Sequence, residues 1–209
     1  VTRFPDDGGD PECKVLKLFK GLNDVASISQ FTQYKHNLPL RFRPSVEREA
    51  KEAAAFPVTE GRLDLRKTKH VTIDGEYARD FDDAILVRKT KSGYELFVSI
   101  ADVSHYVRPG SKLDEEAYNR GTSVYFPGSV IPMLPTVLSN GICSLNPGED
   151  RLTVTAVLRY SLEGELRDSS FAPSVIRSAR RLTYTAVERA IVDKDPAARA
   201  SLKGVLREL

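Results

Sequence analysis

The stretch TIDGEYARDFDDAILV, residues 72–87, places Asp74, Asp80, Asp82 and Asp83 just ahead of an apolar run. Like charges at such spacing repel one another, so the segment folds at a cost unless a cation neutralises it. Downstream, DAILVRKT and YELFVSIADV are β-rich runs joined by KSG, the pattern of a hairpin with a short glycine-bearing loop. The spacing predicts an antiparallel pair with the carboxylates at one end. The second strand returns to that end and brings Asp102 with it, expected as a partner that orients the others, with a further ligand or a strand-end cap as the alternatives.

Outward from this hairpin the pattern is mixed helix and strand. VTRF and CKVLKLF flank the turn PDDGGDPE as a hairpin. NDVASISQFTQYKHN has Val25, Ile28, Phe31 and Lys35 at helical spacing, with Asn23 or Asp24 placed to cap. PSVEREAKEAAAF predicts a helix with Ser45 as N-cap, followed by a linker, PVTEGRLDLRKTKHV, up to the acidic stretch. SKLDEEAYNRG is a short helix with Ser111 and Asp114 in capping-box spacing and Gly121 as its stop. GTSVYFPGSVIPMLP is an extended, proline-punctuated segment. RLTVTAVLRYSLEGELRDSSFAPSVIRSARRLTY gives two strands about a Glu-Gly turn, and TAVERAIVD a helix with Thr185 and Glu188 as capping pair. Asp195 and Pro196 start a last helix, whose apolar stripe of Leu202, Val205, Leu206 and Leu209 has nothing after it and suggests truncation. The expected fold class is α+β, with antiparallel sheets and packed helices.

Composition narrows the class without naming a function. At 209 residues, 41% hydrophobic and 29% charged, the chain can bury one good core and a small satellite. No apolar run reaches the roughly eighteen residues of a membrane helix and no secretory leader is visible, so a cytoplasmic protein without a membrane partner is expected. Cys13 and Cys143 form no CxxC pair and are expected to be small buried hydrophobes. A net charge of +2 does not identify a nucleic-acid binder, because clustering on one face is what matters.

Aspartates gathered in a loop offer hard oxygen ligands, which suit Mg²⁺ or Mn²⁺. Zinc is disfavoured by the wide spacing of His36, His70 and His105. An EF-hand loop counted from Asp74 puts Arg79 where glycine is needed and Ile85 where a bidentate glutamate belongs. Two divalent ions about 3.5–4 Å apart could activate water and stabilise a leaving oxygen in phosphodiester cleavage. The alternative is that Asp74 and Asp80 are turn or cap residues and Asp82 is merely solvated.

Longer blocks decide between these. DLRKTKHVTIDGEYARDFDDAI, then SIADVSHYVRPGSKLDEEAYNRGTSVYFPGSVIPMLPTVLSNGICSLNPGEDRLT and RSARRLTYTAV, resemble the RNB catalytic domain of the ribonuclease II and ribonuclease R family over about residues 62–189. RGTSVYFP and SNGICSLNP bring the wording closer to the ribonuclease R branch. The resemblance implies a metal-dependent 3′-to-5′ exoribonuclease that hydrolyses single-stranded RNA to nucleoside 5′-monophosphates. It implies that Asp74, Asp80, Asp82 and Asp83 bind Mg²⁺, with Mn²⁺ as substitute, and that Asp82 is the most essential to chemistry. Tyr125 matches the tyrosine that packs on the base at the RNA 3′ end. Tyr77 departs from the family, where an acidic residue often fills that slot. Residues 1–43 resemble the tail of an OB-type cold-shock barrel, and residues 44–209 the N-terminal part of the catalytic domain. The family's domain continues further and supplies a catalytic arginine, more of the RNA channel and an S1 domain, so this chain is expected to be a fragment inactive alone. The complete protein is expected to be a monomer and the fragment to self-associate. An inactive RNA-binding or interaction module of the same fold is the competing reading.

Other side chains carry weaker expectations. Arg177, Arg180 and Arg181 form a basic group suited to phosphate, and Arg79 could reach a phosphate or a neighbouring carboxylate. His105 is expected to be structural, since a metal-activated water needs no histidine. Asn140 is expected to fix its own loop by local hydrogen bonds.

Overall fold

The structure is a computed structural model. It describes residues 2–3, 12–13, 15, 17–19, 21–55 and 57–205. In chain order the first elements are β1 (Thr2–Arg3), β2 (Glu12–Cys13), α1 (Val25–Lys35), α2 (Pro44–Ala54), β3 (Leu63–Leu65), β4 (Val71–Asp74), β5 (Asp83–Lys89) and β6 (Tyr94–Ala101). There follow α3 (Val103–Tyr106), α4 (Lys112–Arg120), β7 (Val124–Phe126), β8 (Ser129–Ile131) and a π-helical turn, Val137–Ile142. The last are β9 (Asp150–Tyr160), β10 (Leu166–Arg177), β11 (Arg180–Thr183), α5 (Tyr184–Ile191) and α6 (Pro196–Ser201).

These fall into two compact units, Val1–Arg41 with Ser123–Ile131, and Phe42–Thr122 with Pro132–Leu209. In the first, β1 and β2 pair antiparallel, as the opening hairpin requires. Its turn and the Cys13 side chain lie outside the described residues. Helix α1 is capped by Asp24, whose carboxylate accepts from Ser27 N at 2.8 Å. The segment expected to be merely extended is instead the hairpin β7–β8, closed by Pro127 and by Gly128 at φ 78°. A positive φ at that turn position suits glycine, which has no Cβ to clash.

The second unit is built on a seven-stranded sheet, ordered β11-β4-β5-β6-β9-β10-β3. Its inner pairs are antiparallel, whereas β11 joins β4 and β3 joins β10 in parallel. The supposed linker therefore contains an edge strand, with Leu63 opposite Ser174. Three residues with no nearby partner give no local strand signal, and only distant pairing makes the strand. The β5–β6 hairpin turns tightly at Gly93, φ 156°, where a Cβ would run into the Tyr160 carbonyl.

Alternation along the strands sends side chains to two cores. Ala84, Leu86 and Phe97 join Val46 and Ala50 of α2 together with Leu113, Leu138, Leu145 and Ile176. Val71 and Leu182 join Ala190, Leu202 and Val205 in a smaller cluster, against which Ile85 packs. Leu202 and Val205 are thus buried, contrary to an uncovered stripe at the chain end; Leu206 and Leu209 lie outside the described residues.

Two helix caps differ from expectation. Pro44 takes the first position of α2, so Arg43 and not Ser45 is the N-cap, in keeping with proline's fixed φ. Helix α5 is capped by Thr183, whose Oγ1 accepts from Ala186 N at 3.2 Å, and not by Thr185. In α4, Ser111 caps as expected, accepting from Asp114 N at 3.1 Å.

Candidate active site

Strand β4 ends on Asp74 and β5 begins on Asp83, so the loop between them carries the remaining aspartates. Phe81 pins this loop. Its ring is buried in the main core, its N–H donates to Ser144 Oγ at 3.1 Å, and its carbonyl accepts from Leu145 N at 2.9 Å. A buried ring between Asp80 and Asp82 fixes the backbone that carries both. Beyond it, Asp82 O accepts from Ala101 N at 2.9 Å, which seats the loop against the end of β6.

The other side of the loop is held by Arg181. Its Nη2 donates to Gly75 O at 3.0 Å and Glu76 O at 2.5 Å, and its guanidinium lies 5.2 Å from the Phe81 ring centroid. Arg180 spends Nη1 on Ser201 O at 2.6 Å, and Arg177 pairs with Asp150 at 2.8 Å. The basic group expected to face phosphate is therefore largely engaged with the protein. Arg79 is exposed, and its carbonyl accepts from Ser144 Oγ at 3.3 Å.

Electrostatics single out two carboxyls. Desolvation raises the Asp82 pKa even though part of the residue meets solvent, and the charges of Asp80 and Asp83 push it the same way. Desolvation also raises Asp74, followed by repulsion from Asp83 and Asp82; Arg181 opposes these, and Asp80 adds to them. Nearby, burial pushes the Cys143 thiol up to about 12, with Asp82 contributing. Cys143 is the buried small hydrophobe expected of it.

Asp102 does not join the loop. Its Oδ2 pairs with Arg62 Nη2 at 2.7 Å, while Oδ1 accepts from Ser104 Oγ at 2.8 Å and His105 N at 3.2 Å, capping α3. Burial alone would raise this carboxyl, but the Arg62 and Ser104 hydrogen bonds hold it below its usual range. His105 lies 3.4 Å from Arg62 through Nδ1 and His70 is fully buried between Thr68 and Ser99. Asn140 Oδ1 accepts from Ser139 Oγ at 2.8 Å, a local bond of the kind expected. Tyr125 stands on β7, 67% exposed.

The donor set suits a hard divalent cation: four carboxylates in and beside one short loop, two of them with pKa values raised by desolvation and then by their neighbours. Among the described residues, no three acidic, imidazole or thiol groups already converge on one point. Gathering them on an ion therefore requires side chains to swing together, which the exposure of Asp82 and Asp83 permits. Arg62, Phe81 and Ser144 escaped the sequence reading. Phe81 alone had a signal, as the apolar residue inside an acidic run.

An α+β sheet that ends in a clamped four-aspartate loop defines the class of domain. The RNB domain family matches residues 62–209, and the chain belongs to that family. It is 46% identical over 199 residues to ribonuclease R of Thermotoga maritima, covering 92% of this chain and 28% of that protein. It is 52% identical over 156 residues to ribonuclease R of Escherichia coli, covering 73% of this chain and 19% of that protein. Among solved structures, Mycoplasma genitalium RNase R in complex with ribose methylated single-stranded RNA superposes with a TM-score of 0.77 at 32% identity, over 87% of this chain and 30% of that one. The chain thus spans well under half the length of these relatives.

Proposed function

We propose that this chain carries the metal-binding part of a 3′-to-5′ exoribonuclease that hydrolyses single-stranded RNA to nucleoside 5′-monophosphates in the cytoplasm. The observation that carries the reading is the contrast within the acidic loop: carboxyls with raised pKa values on a backbone clamped by Phe81, Ser144 and Arg181. Repulsion retained in a rigid frame suits a site that a cation completes.

Asp74, Asp80, Asp82 and Asp83 would hold Mg²⁺, with Mn²⁺ as substitute, and the bound ion would supply an activated water and neutralise charge at the scissile phosphate. Asp82, on the backbone seated by Ala101, would orient the water. Arg79 would meet a phosphate from solvent. Arg180 and Arg181, each with guanidinium nitrogens beyond those bonded to protein carbonyls, would add positive charge beside the loop. Tyr125 would offer its exposed face to a terminal base, since stacking tolerates any base and contributes about 1–3 kcal/mol. Residues 1–43 are proposed as the tail of a cold-shock barrel and 44–209 as part of the catalytic domain.

The test is nucleotide release from a 5′-labelled, 3′-extended RNA with Mg²⁺ by this chain and by its Asp82→Asn variant. No turnover, with a melting temperature that Mn²⁺ raises in the parent and not in the variant, would support the assignment of a metal-binding part; monophosphates from the parent and none from the variant would show in addition that this part suffices for hydrolysis. Equal turnover by both would sink it. RNA binding without turnover, and a melting temperature that Mn²⁺ leaves unchanged, would favour an inactive RNA-binding module.

A further inference from the structure

Tyr77 has no structural employment that explains it. It is 97% exposed, more than any other large apolar side chain among the described residues. It sits at the tip of a turn closed by Ala78 N donating to Gly75 O at 3.2 Å. Such positions favour Gly, Asn, Asp or Ser for conformational reasons, and turn chemistry does not select tyrosine. Neither does packing, because the ring buries almost nothing.

Yet the backbone beneath it is held from two sides. Arg181 Nη2 donates to the carbonyls of Gly75 and Glu76, the residues leading into Tyr77. The Glu76 carboxylate takes a hydrogen bond from Thr185 on α5, which holds it below its usual pKa range. Tyr77 lies midway between Asp74 and Asp80, so its Cα is within about 11 Å of each, the reach of the intervening chain. Arg79, also exposed, follows on the same loop. An aromatic ring on a clamped turn, followed by a cation two residues on, matches the pairing of stacking surface and positive charge that single-stranded nucleic acids use. A tyrosine suits this, since only two side-chain torsions are lost on ordering.

We propose that Tyr77 is a substrate-positioning residue, stacking on an unpaired nucleobase of the RNA strand that enters the aspartate loop. The proposal rests on the ribonuclease reading above and adds to it a second aromatic contact, on the loop itself. Any base would serve, but a paired base would not, because its faces are covered within a duplex.

The chain has no tryptophan, so Tyr77→Trp introduces a single reporter at the platform. In an Asp82→Asn background that blocks hydrolysis, fluorescein-labelled oligoadenylate is titrated with Mg²⁺ while its anisotropy and, with unlabelled RNA, the tryptophan emission are followed. Binding should quench the tryptophan, and Tyr77→Ser should weaken affinity about tenfold while Tyr77→Phe keeps it. Blunt duplex RNA should leave the emission unchanged. If anisotropy reports binding but the emission does not move and Tyr77→Ser binds as tightly as the parent, the platform is wrong and the ribonuclease reading stands. If the labelled RNA does not bind at all, both fall together.

Discussion

Asp82 and Asp102 are neighbours across the β5–β6 hairpin, where Ala101 N donates to Asp82 O, yet their carboxyls live under opposite conditions. Asp102 is 9% exposed at its side chain and is matched by Arg62, itself 10% exposed, at 2.7 Å. Its pKa is lowered, and it caps a helix. Asp82 is pushed up by desolvation and by two more aspartates. One carboxylate has been given a cation by the fold, and the other has been given rivals. Within one sheet end, pairing marks the residue that holds structure together, and desolvation with repulsion marks the one to which a cation is assigned in the proposal above.

The largest effect that tests this contrast falls on the paired side. Arg62→Ala leaves Asp102 buried without its cation and should cost about 3–5 kcal/mol of unfolding free energy. Urea melts at neutral pH measure it; a loss below about 1 kcal/mol would show that Asp102 is not dependent on Arg62. Next comes the acid titration of the whole unit. Burial, aided by the charge of Arg88, depresses the His70 pKa to about 4 from an ordinary value of 6.5. The unfolded chain therefore binds the proton first, so this contribution is complete above pH 6.5 and is lost as pH falls towards 4. It amounts to something on the order of 3 kcal/mol. Melts in this window should show falling stability, and a flat profile would mean that water reaches His70.

The smallest effect lies on the repelled side and has the opposite sign. Asp82→Asn should raise stability at neutral pH, by no more than about 1 kcal/mol because part of the site is solvated. The raised pKa of Asp82 means that the folded parent takes up its proton before the unfolded chain does. The parent thus gains on the variant as pH falls through that raised value, and the gap closes near the ordinary carboxylate range. Paired melts of parent and variant across this range measure the gap. A variant less stable than its parent at neutral pH would show that Asp82 is a structural carboxylate after all.

Much of this arrangement was legible before any fold was known. The β5–β6 hairpin is written in period-two alternation and a glycine turn, and the cap on α4 is written in Ser111. Caps failed where a neighbour competed: Pro44 pre-empted Ser45, and Thr183 preceded Thr185 at the end of a strand. Strand β3 was invisible because its partner, β10, lies more than a hundred residues away in sequence. The antiparallel expectation held for the middle of the sheet and missed its edges for the same reason. A parallel edge is made by chain crossover, which leaves no local pattern.

The sequence by itself determined that four aspartates gather around one loop, a matter of spacing and of the chemistry that suits a hard cation. It also determined membership of the RNB family, through long ordered blocks. Only the tertiary structure decided which charges are compensated. Arg181, in a basic group that by sequence suits phosphate, holds the Gly75 and Glu76 carbonyls, and Arg62, in a segment that by sequence is a linker, neutralises Asp102. The physical reason is reach. A guanidinium acts where packing of distant strands delivers it, and a few ångströms separate an ion-paired carboxylate from a repelled one.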